Sequence, residues 1–187
     1  MRHVVRVAAA RGAGEDRAVV VPRAGGATIV LADGAGGTAR GAEAADRITE
    51  RQTLALDPLD AELAALGGQS TAVAIELDGA TLRGVSVGDS EAWIVHLDGS
   101  IEDLTASQHR KPLLGAGGIL VEFTALFYEG TLVVGSDGLF RYVRREEIVA
   151  ACRIASLDDA VDALVAAARL PTGGLQDDVS LVLCRPD

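Results

Sequence analysis

Aromatic residues make up only 3% of this 187-residue sequence, with a single Trp and two Tyr. The core must therefore be built from Val, Leu, Ile and Ala, which the 49% hydrophobic content supplies. A domain of this length buries roughly 70% of the surface that its unfolded chain exposes, so it needs no covalent staple. Cysteine is nearly absent as well. Cys152 and Cys184 form no spacing motif, which excludes a zinc ribbon or a disulfide scaffold and leaves two small hydrophobes in a reducing compartment.

No stretch reaches the ~18 consecutive apolar residues of a membrane span. The opening MRHVVRVAAARGAGED has a short apolar run split by Arg6, so it reads as a first strand rather than a secretory leader. The expectation is a cytoplasmic protein with no membrane partner. Basic residues are also outnumbered, 17 against 27 acidic, for a net charge of −10. A nucleic-acid partner is excluded on that balance, because neutralising phosphates needs a basic face. The acidic excess has two readings, a solvated surface or carboxylates gathered round a cation, and composition does not choose between them.

What is present is a repeated pattern. ATIVLADGAGG (27–37) drives an apolar run into Asp33-Gly34, and TLVVGSDGLF (131–140) does the same at Asp137-Gly138. Asp78-Gly79 and Asp98-Gly99 are the same dipeptide in polar surroundings. A lone buried carboxylate is costly, so one at the end of a wholly apolar strand needs a partner or a cation. The glycine after it lets the backbone turn and can present a carbonyl oxygen as another hard ligand.

Periodicity places strands at 3–9, 17–21 and 27–32, the last apolar on both faces. A helical segment follows at 38–56, with Ala42, Ala45, Ile48 and Leu56 near one face. Pro58 opens a second helix that ends at Gly67-Gly68. Residues 70–105 read as an antiparallel meander whose tight turns are Asp78-Gly79, Gly88-Asp89 and Asp98-Gly99. Two strands (119–127 and 130–136), two helices (144–152 and 157–170) and a last strand (178–184) complete the chain. Without regular βαβ alternation, the expected fold is α+β: a four-layer α/β/β/α sandwich of two mainly antiparallel sheets, one domain spanning 1–187.

Two further acidic pairs border apolar strands, Asp177-Asp178 before VSLVL and Glu15-Asp16 before RAVVV. Oxygen ligands without a neighbouring His or Cys favour Mg²⁺ or Mn²⁺ over zinc. Each pair alone is more commonly a turn or a cap, and only their convergence at one sheet edge would make a site.

Taken in order, RGAGED, VLADGAGG, GGQSTAVAIELDGATLRGVSVGDSEAWIVHLDGSIEDLT, LVVGSDGLF and QDDVSLVL resemble the successive motifs of the protein phosphatase 2C family, in a compact bacterial-type form. The resemblance spans essentially the whole chain. It implies a metal-dependent serine/threonine phosphatase acting on a phosphorylated protein, with a cognate Ser/Thr kinase as a further partner. Asp33 matches the carboxylate bridging two metals, and Gly34 matches the backbone ligand beside it. Asp137 and Asp177 match the other ligands of the first metal. Glu15 and Asp16 match the pair holding waters around the second, and Asp89 matches a ligand of a weaker third metal. Arg11 stands where the family places its phosphate-binding arginine.

The implied chemistry is in-line attack on phosphorus by a water shared between two Mn²⁺ or Mg²⁺ ions, with a guanidinium fork gripping phosphoryl oxygens. Several positions depart from the family. Ala35 replaces a larger residue or a His, Glu91 stands where an arginine is usual, and Asp178 replaces an asparagine, adding negative charge near the first metal. KPLLGAGG is short where relatives carry a flap subdomain, so the expected cleft is open and poorly selective, its specificity completed by a partner protein. His3 and His96 fall within strands and read as structural; His109 is the weak candidate for a general acid. Trp93 reads as core packing. Neither GAGG run has nucleotide-loop spacing, so both read as turns. The alternatives are a non-catalytic phosphoprotein-binding or regulatory domain of the same fold, and a phosphatase of small phosphoesters.

Overall fold

The computed structural model describes residues 1–36 and 40–186. Strands β1 (Arg2–Ala8), β2 (Asp16–Arg23) and β3 (Gly26–Asp33) come first, then helices α1 (Gly41–Arg51) and α2 (Asp57–Leu66). Strands β4 (Ala72–Asp78), β5 (Thr81–Val87), β6 (Glu91–Val95), β7 (Ile101–Asp103), β8 (Val121–Leu126) and β9 (Thr131–Gly135) follow. The chain ends with α3 (Asp137–Phe140), α4 (Arg145–Ala151), α5 (Leu157–Ala167) and β10 (Val179–Arg185). No helix among the described residues is long and apolar enough to cross a membrane.

Two five-stranded sheets form, ordered β1-β10-β9-β6-β7 and β2-β3-β4-β5-β8, and their strand pairings are antiparallel. Three apolar layers hold them together. Ile29, Leu31, Val73 and Ile75 meet Ile94, Leu132, Val134 and Val182 between the sheets. Val30, Ala32, Ala72 and Ala74 face Ile48, Leu59 and Leu63 of α1 and α2. Val133, Leu181 and Leu183 face Leu139, Ile148, Val161 and Leu164 of α3, α4 and α5. Successive strand side chains point to opposite faces, so a strand sandwiched between a sheet and a helix layer must be apolar at every position. That is why 27–32 and 179–184 read as nearly unbroken apolar runs in an antiparallel fold, with the small hydroxyl residues Thr28 and Ser180 as the exceptions. The four layers are those expected from the sequence.

Three local expectations need correction. Residues 70–105 are not one meander: β4–β5 and β6–β7 are hairpins, but β5 and β6 belong to different sheets. Gly88-Asp89 is thus the point where the chain crosses between sheets, not a hairpin turn. Asp137 opens the short helix α3 rather than a simple turn. The first helix was expected from Thr38, which with Gly37 and Ala39 lies outside the described residues. Its buried face carries Gly41, Ala44, Ala45 and Ile48, whereas Leu56 is buried beyond the helix end. The second helix follows expectation, with Pro58 in its first turn and Gly67 closing it at φ 77.

Candidate active site

The antiparallel order gathers ends that are distant in sequence. Asp33 ends β3 directly opposite Asp16, the first residue of β2. In the other sheet Gly135 of β9 lies opposite Leu181 of β10, so Asp137 and Asp177-Asp178 emerge at neighbouring positions. Asp89 sits at the crossing between sheets. The result is a cleft of about 260 Å³ at one end of the sandwich, bordered by Glu15, Asp16, Asp33, Gly34, Asp89, Asp137, Asp177 and Asp178. Each of the acidic residues assigned a metal-site role from the sequence, Glu15, Asp16, Asp33, Asp89, Asp137 and Asp177, borders this cleft.

Close backbone packing fixes the two Asp-Gly corners. A Cβ at position 34 would lie 2.4 Å from the Gly41 carbonyl oxygen, and one at position 138 would lie 1.8 Å from that of Asp178. Neither contact leaves room for a side chain. The Asp33 amide donates to Thr71 Oγ1 (3.2 Å), while its carbonyl accepts from Ser70 Oγ (2.8 Å) and the Thr71 amide (2.9 Å). Thr71 Oγ1 in turn bonds Ser90 Oγ at 2.6 Å. Only the Asp33 carboxylate is left to face the cleft.

The electrostatics are dominated by burial and by carboxylates that face one another. Burial pushes the Asp33 carboxyl up to about 9, reinforced by the charges of Asp16, Asp137, Asp177 and Asp89. Asp16 is 2% exposed, and burial raises its carboxyl to about 6 despite the nearby Ser136 and Ser180 hydroxyls. Its Oδ2 is buried without a hydrogen-bond partner. Asp137 is raised by burial and by Asp177 and Asp89, with Arg141 opposing at 3.3 Å. Asp89 is paired with Arg110 at 3.1 Å.

An orphaned buried carboxylate oxygen among all-oxygen donors fits a hard divalent cation. Among the described residues, however, no three acidic, His or Cys side chains already stand in a closed ligand cluster. The two observations are compatible. The carboxylates are near enough for their charges to raise Asp33, while Asp89 and Asp137 are paired with Arg110 and Arg141.

Arg11 lies outside the cleft proper, in an adjoining groove that shares Glu15, Gly36, Asp177 and Asp178 with it. It is exposed. Asp178 directs its charge into the Arg11 loop: Oδ1 accepts from the Ala10 amide (2.7 Å) and Oδ2 from the Glu15 amide (2.6 Å). Glu91 bonds the Trp93 indole at 2.9 Å, and the Trp93 ring packs on Phe140 with Arg145 over its face. His109 is exposed and does not border the cleft. His96 faces Glu102 at 3.6 Å, and His3 lies within β1. Sequence reasoning missed Thr71 and Leu113, which also border the cleft. Neither carries a charge that would mark it, and only the fold brings them there.

No family model matches the chain, and no curated protein matches it either. Solved structures do. The Mycobacterium tuberculosis serine/threonine phosphatase PstP/Ppp superposes with a TM-score of 0.81 at 21% identity, covering 100% of this chain and 98% of its own. The catalytic domain of PstP in complex with two manganese ions gives 0.78 at 23% identity, covering 97% and 96%. The serine/threonine phosphatase Stp1 from Staphylococcus aureus gives 0.73 at 18% identity, covering 100% and 94%. This chain therefore has the fold of bacterial serine/threonine phosphatases across its whole length.

Proposed function

We propose that the whole chain is one catalytic unit, a Mn²⁺- or Mg²⁺-dependent phosphatase of phosphoserine and phosphothreonine on proteins. The observation that carries this reading is Asp33: a desolvated carboxylate ringed by Asp16, Asp89, Asp137 and Asp177, a concentration of negative charge with no use unless cations offset it. A fold shared with a phosphatase domain that holds two manganese ions supports the same conclusion.

Asp33, Asp137 and Asp177 with the Gly34 carbonyl would hold the ion pair, Glu15 and Asp16 would anchor its waters, and Asp89 would serve a third ion. When bound, the ions supply Lewis acidity to the phosphoryl group and to the attacking water. The chain's own residues bind and orient. Arg11, on its loop held by Asp178, receives phosphoryl oxygens as a bidentate fork. The stitched backbone of Ser70, Thr71 and Asp33 keeps the central carboxylate fixed while charge moves past it. No nucleophilic Ser or Cys is required. The non-catalytic alternative gains no support from any feature of the cleft.

The decisive assay follows dephosphorylation of a phosphothreonine peptide in Mn²⁺, with EDTA and Asp33→Asn as controls. Turnover is expected only in the metal-loaded wild type. Undiminished activity in EDTA would overturn the mechanism.

A further inference from the structure

The second glycine run, Gly115–Gly118, has a role that the catalytic reading does not absorb. A single carboxylate oxygen organises it. Asp60 Oδ1, on α2, accepts from the amides of Gly115 (2.8 Å), Gly117 (3.0 Å) and Gly118 (3.0 Å). Gly115 and Gly117 have φ of 89° and 85°, the left-handed region in which successive amides can converge on one anion. A Cβ at position 115 would lie 2.2 Å from the Gly68 carbonyl oxygen, so this loop packs backbone against backbone on the end of α2. It is a carboxylate nest built from the chain itself.

The loop's other edge is tied to the cleft floor. Leu114 and Ser70 exchange backbone hydrogen bonds of 3.1 and 3.2 Å, and Ser70 Oγ donates to the Asp33 carbonyl at 2.8 Å. Leu114 is fully buried in the layer between sheet and helices. Leu113, one residue earlier, borders the cleft and packs over Gly88, where an added Cβ would come within 3.0 Å of its Cδ2. Among the described cleft residues, Leu113 is the one large apolar side chain.

We propose that Asp60 is a positioning residue and Leu113 a specificity-determining one. The Asp60 nest fixes the 113–118 loop as a rigid wall, and Leu113 on that wall makes the cleft favour phosphorylated residues flanked by apolar side chains. This rests on the phosphatase reading above and parts from the expectation of an open, unselective cleft. The physical reasons are two. A wall fixed at both edges presents its leucine without an ordering cost at binding. A peptide methylene pressed against it leaves water, whereas a polar group of equal size gains nothing there.

The test uses two fluorescent phosphonate peptides that resist hydrolysis, identical except for Leu or Asn on both flanks of the phosphonate residue. Their binding is measured by anisotropy in Mn²⁺. The wild type should bind the Leu peptide about fivefold more tightly, the scale of a partly buried leucine. Leu113→Ala and Asp60→Ala should bring the ratio close to one, with Asp60→Asn retaining part of it. Hydrogen exchange supplies the second readout. In Asp60→Ala the amides of Gly115, Gly117 and Gly118 should lose protection, while those of Leu181, Val182 and Leu183 in β10 keep theirs and show that the fold survives. A wild-type ratio of one, a ratio unchanged by Asp60→Ala, or undiminished glycine protection would each overturn the proposal. Turnover of the matching phosphopeptides is scored separately. Its absence sinks the phosphatase reading, while the binding ratio still judges the wall.

Discussion

Asp33-Gly34 and Asp98-Gly99 are the same dipeptide at opposite kinds of place. Asp98 is solvent-exposed in a loop, where its Oδ1 accepts from the Ser100 amide and hydroxyl at 2.8 and 2.7 Å, and those bonds hold its carboxyl below the ordinary value. Asp33 ends a buried strand, and desolvation with four neighbouring carboxylates raises it to about 9. The glycines differ in the same way. Gly99 is needed for its φ of 91°, as in ordinary hairpin turns, whereas Gly34 and Gly138 are needed because backbone carbonyls crowd the space a Cβ would fill. One dipeptide closes a turn at no electrostatic cost, and the other places a carboxyl where burial and its neighbours oppose ionisation unless a cation offsets the charge.

That contrast can be broken directly. Asp33→Asn should lower turnover by at least about 10²-fold, the scale of losing one electrostatic contributor to a charged transition state. Asp98→Asn should leave it unchanged in the same steady-state assay. The mirror effect belongs to stability. In EDTA at neutral pH, Asp33→Asn should raise Tm, because it removes the cost of taking up a proton at this buried carboxyl on folding; with saturating Mn²⁺ the order should invert.

The pH dependence sharpens the point. A carboxyl raised on folding stabilises through its protonated form. That contribution is complete below the unfolded value of ~4 and is lost as pH rises through about 9. Metal-free wild type should therefore show a Tm that declines across this span, with Asp16 adding its share as pH passes about 6. Asp33→Asn should flatten the curve; calorimetry in EDTA at stepped pH decides it.

A smaller effect is expected at Arg11. It lies in the adjoining groove rather than the cleft, so Arg11→Ala should raise KM about tenfold, one lost charge-assisted bidentate contact, and change kcat less. A last test bears on stability alone and compares glycines by denaturant unfolding. Gly138→Ala, with its Cβ forced onto the Asp178 carbonyl, should cost about 3 kcal/mol or more. Gly79→Ala, at φ 56° with open space around it, should cost only about 1 kcal/mol.

Much of this was legible because burial and chemistry conflict openly at a few positions. An aspartate after six mostly apolar residues announces an unusual environment whatever the fold, and so do a strand with no polar face and the glycine after Asp33 and Asp137. The crossing at Gly88-Asp89 was not legible, since its dipeptide suits a hairpin as well as a change of sheet, and pairing partners are not encoded locally. The role of Asp178 was also hidden. Its charge reads as an addition to the metal site, yet its two oxygens hold the Ala10 and Glu15 amides 168 and 163 residues away in sequence. Asp60 gave no signal at all, being one of many helix-borne acids, and Leu113 looked like any loop leucine.

The amino-acid order by itself determined which segments must be buried on both faces, hence the layered sandwich, and which carboxylates had to find a cation or a partner. These follow from solvation, a property each segment carries wherever it goes. Only the tertiary structure decided which carboxylates face one another, which amides they occupy and which leucine stands beside them. Those relations depend on strand order and close backbone approach, and are fixed only when the whole chain has packed.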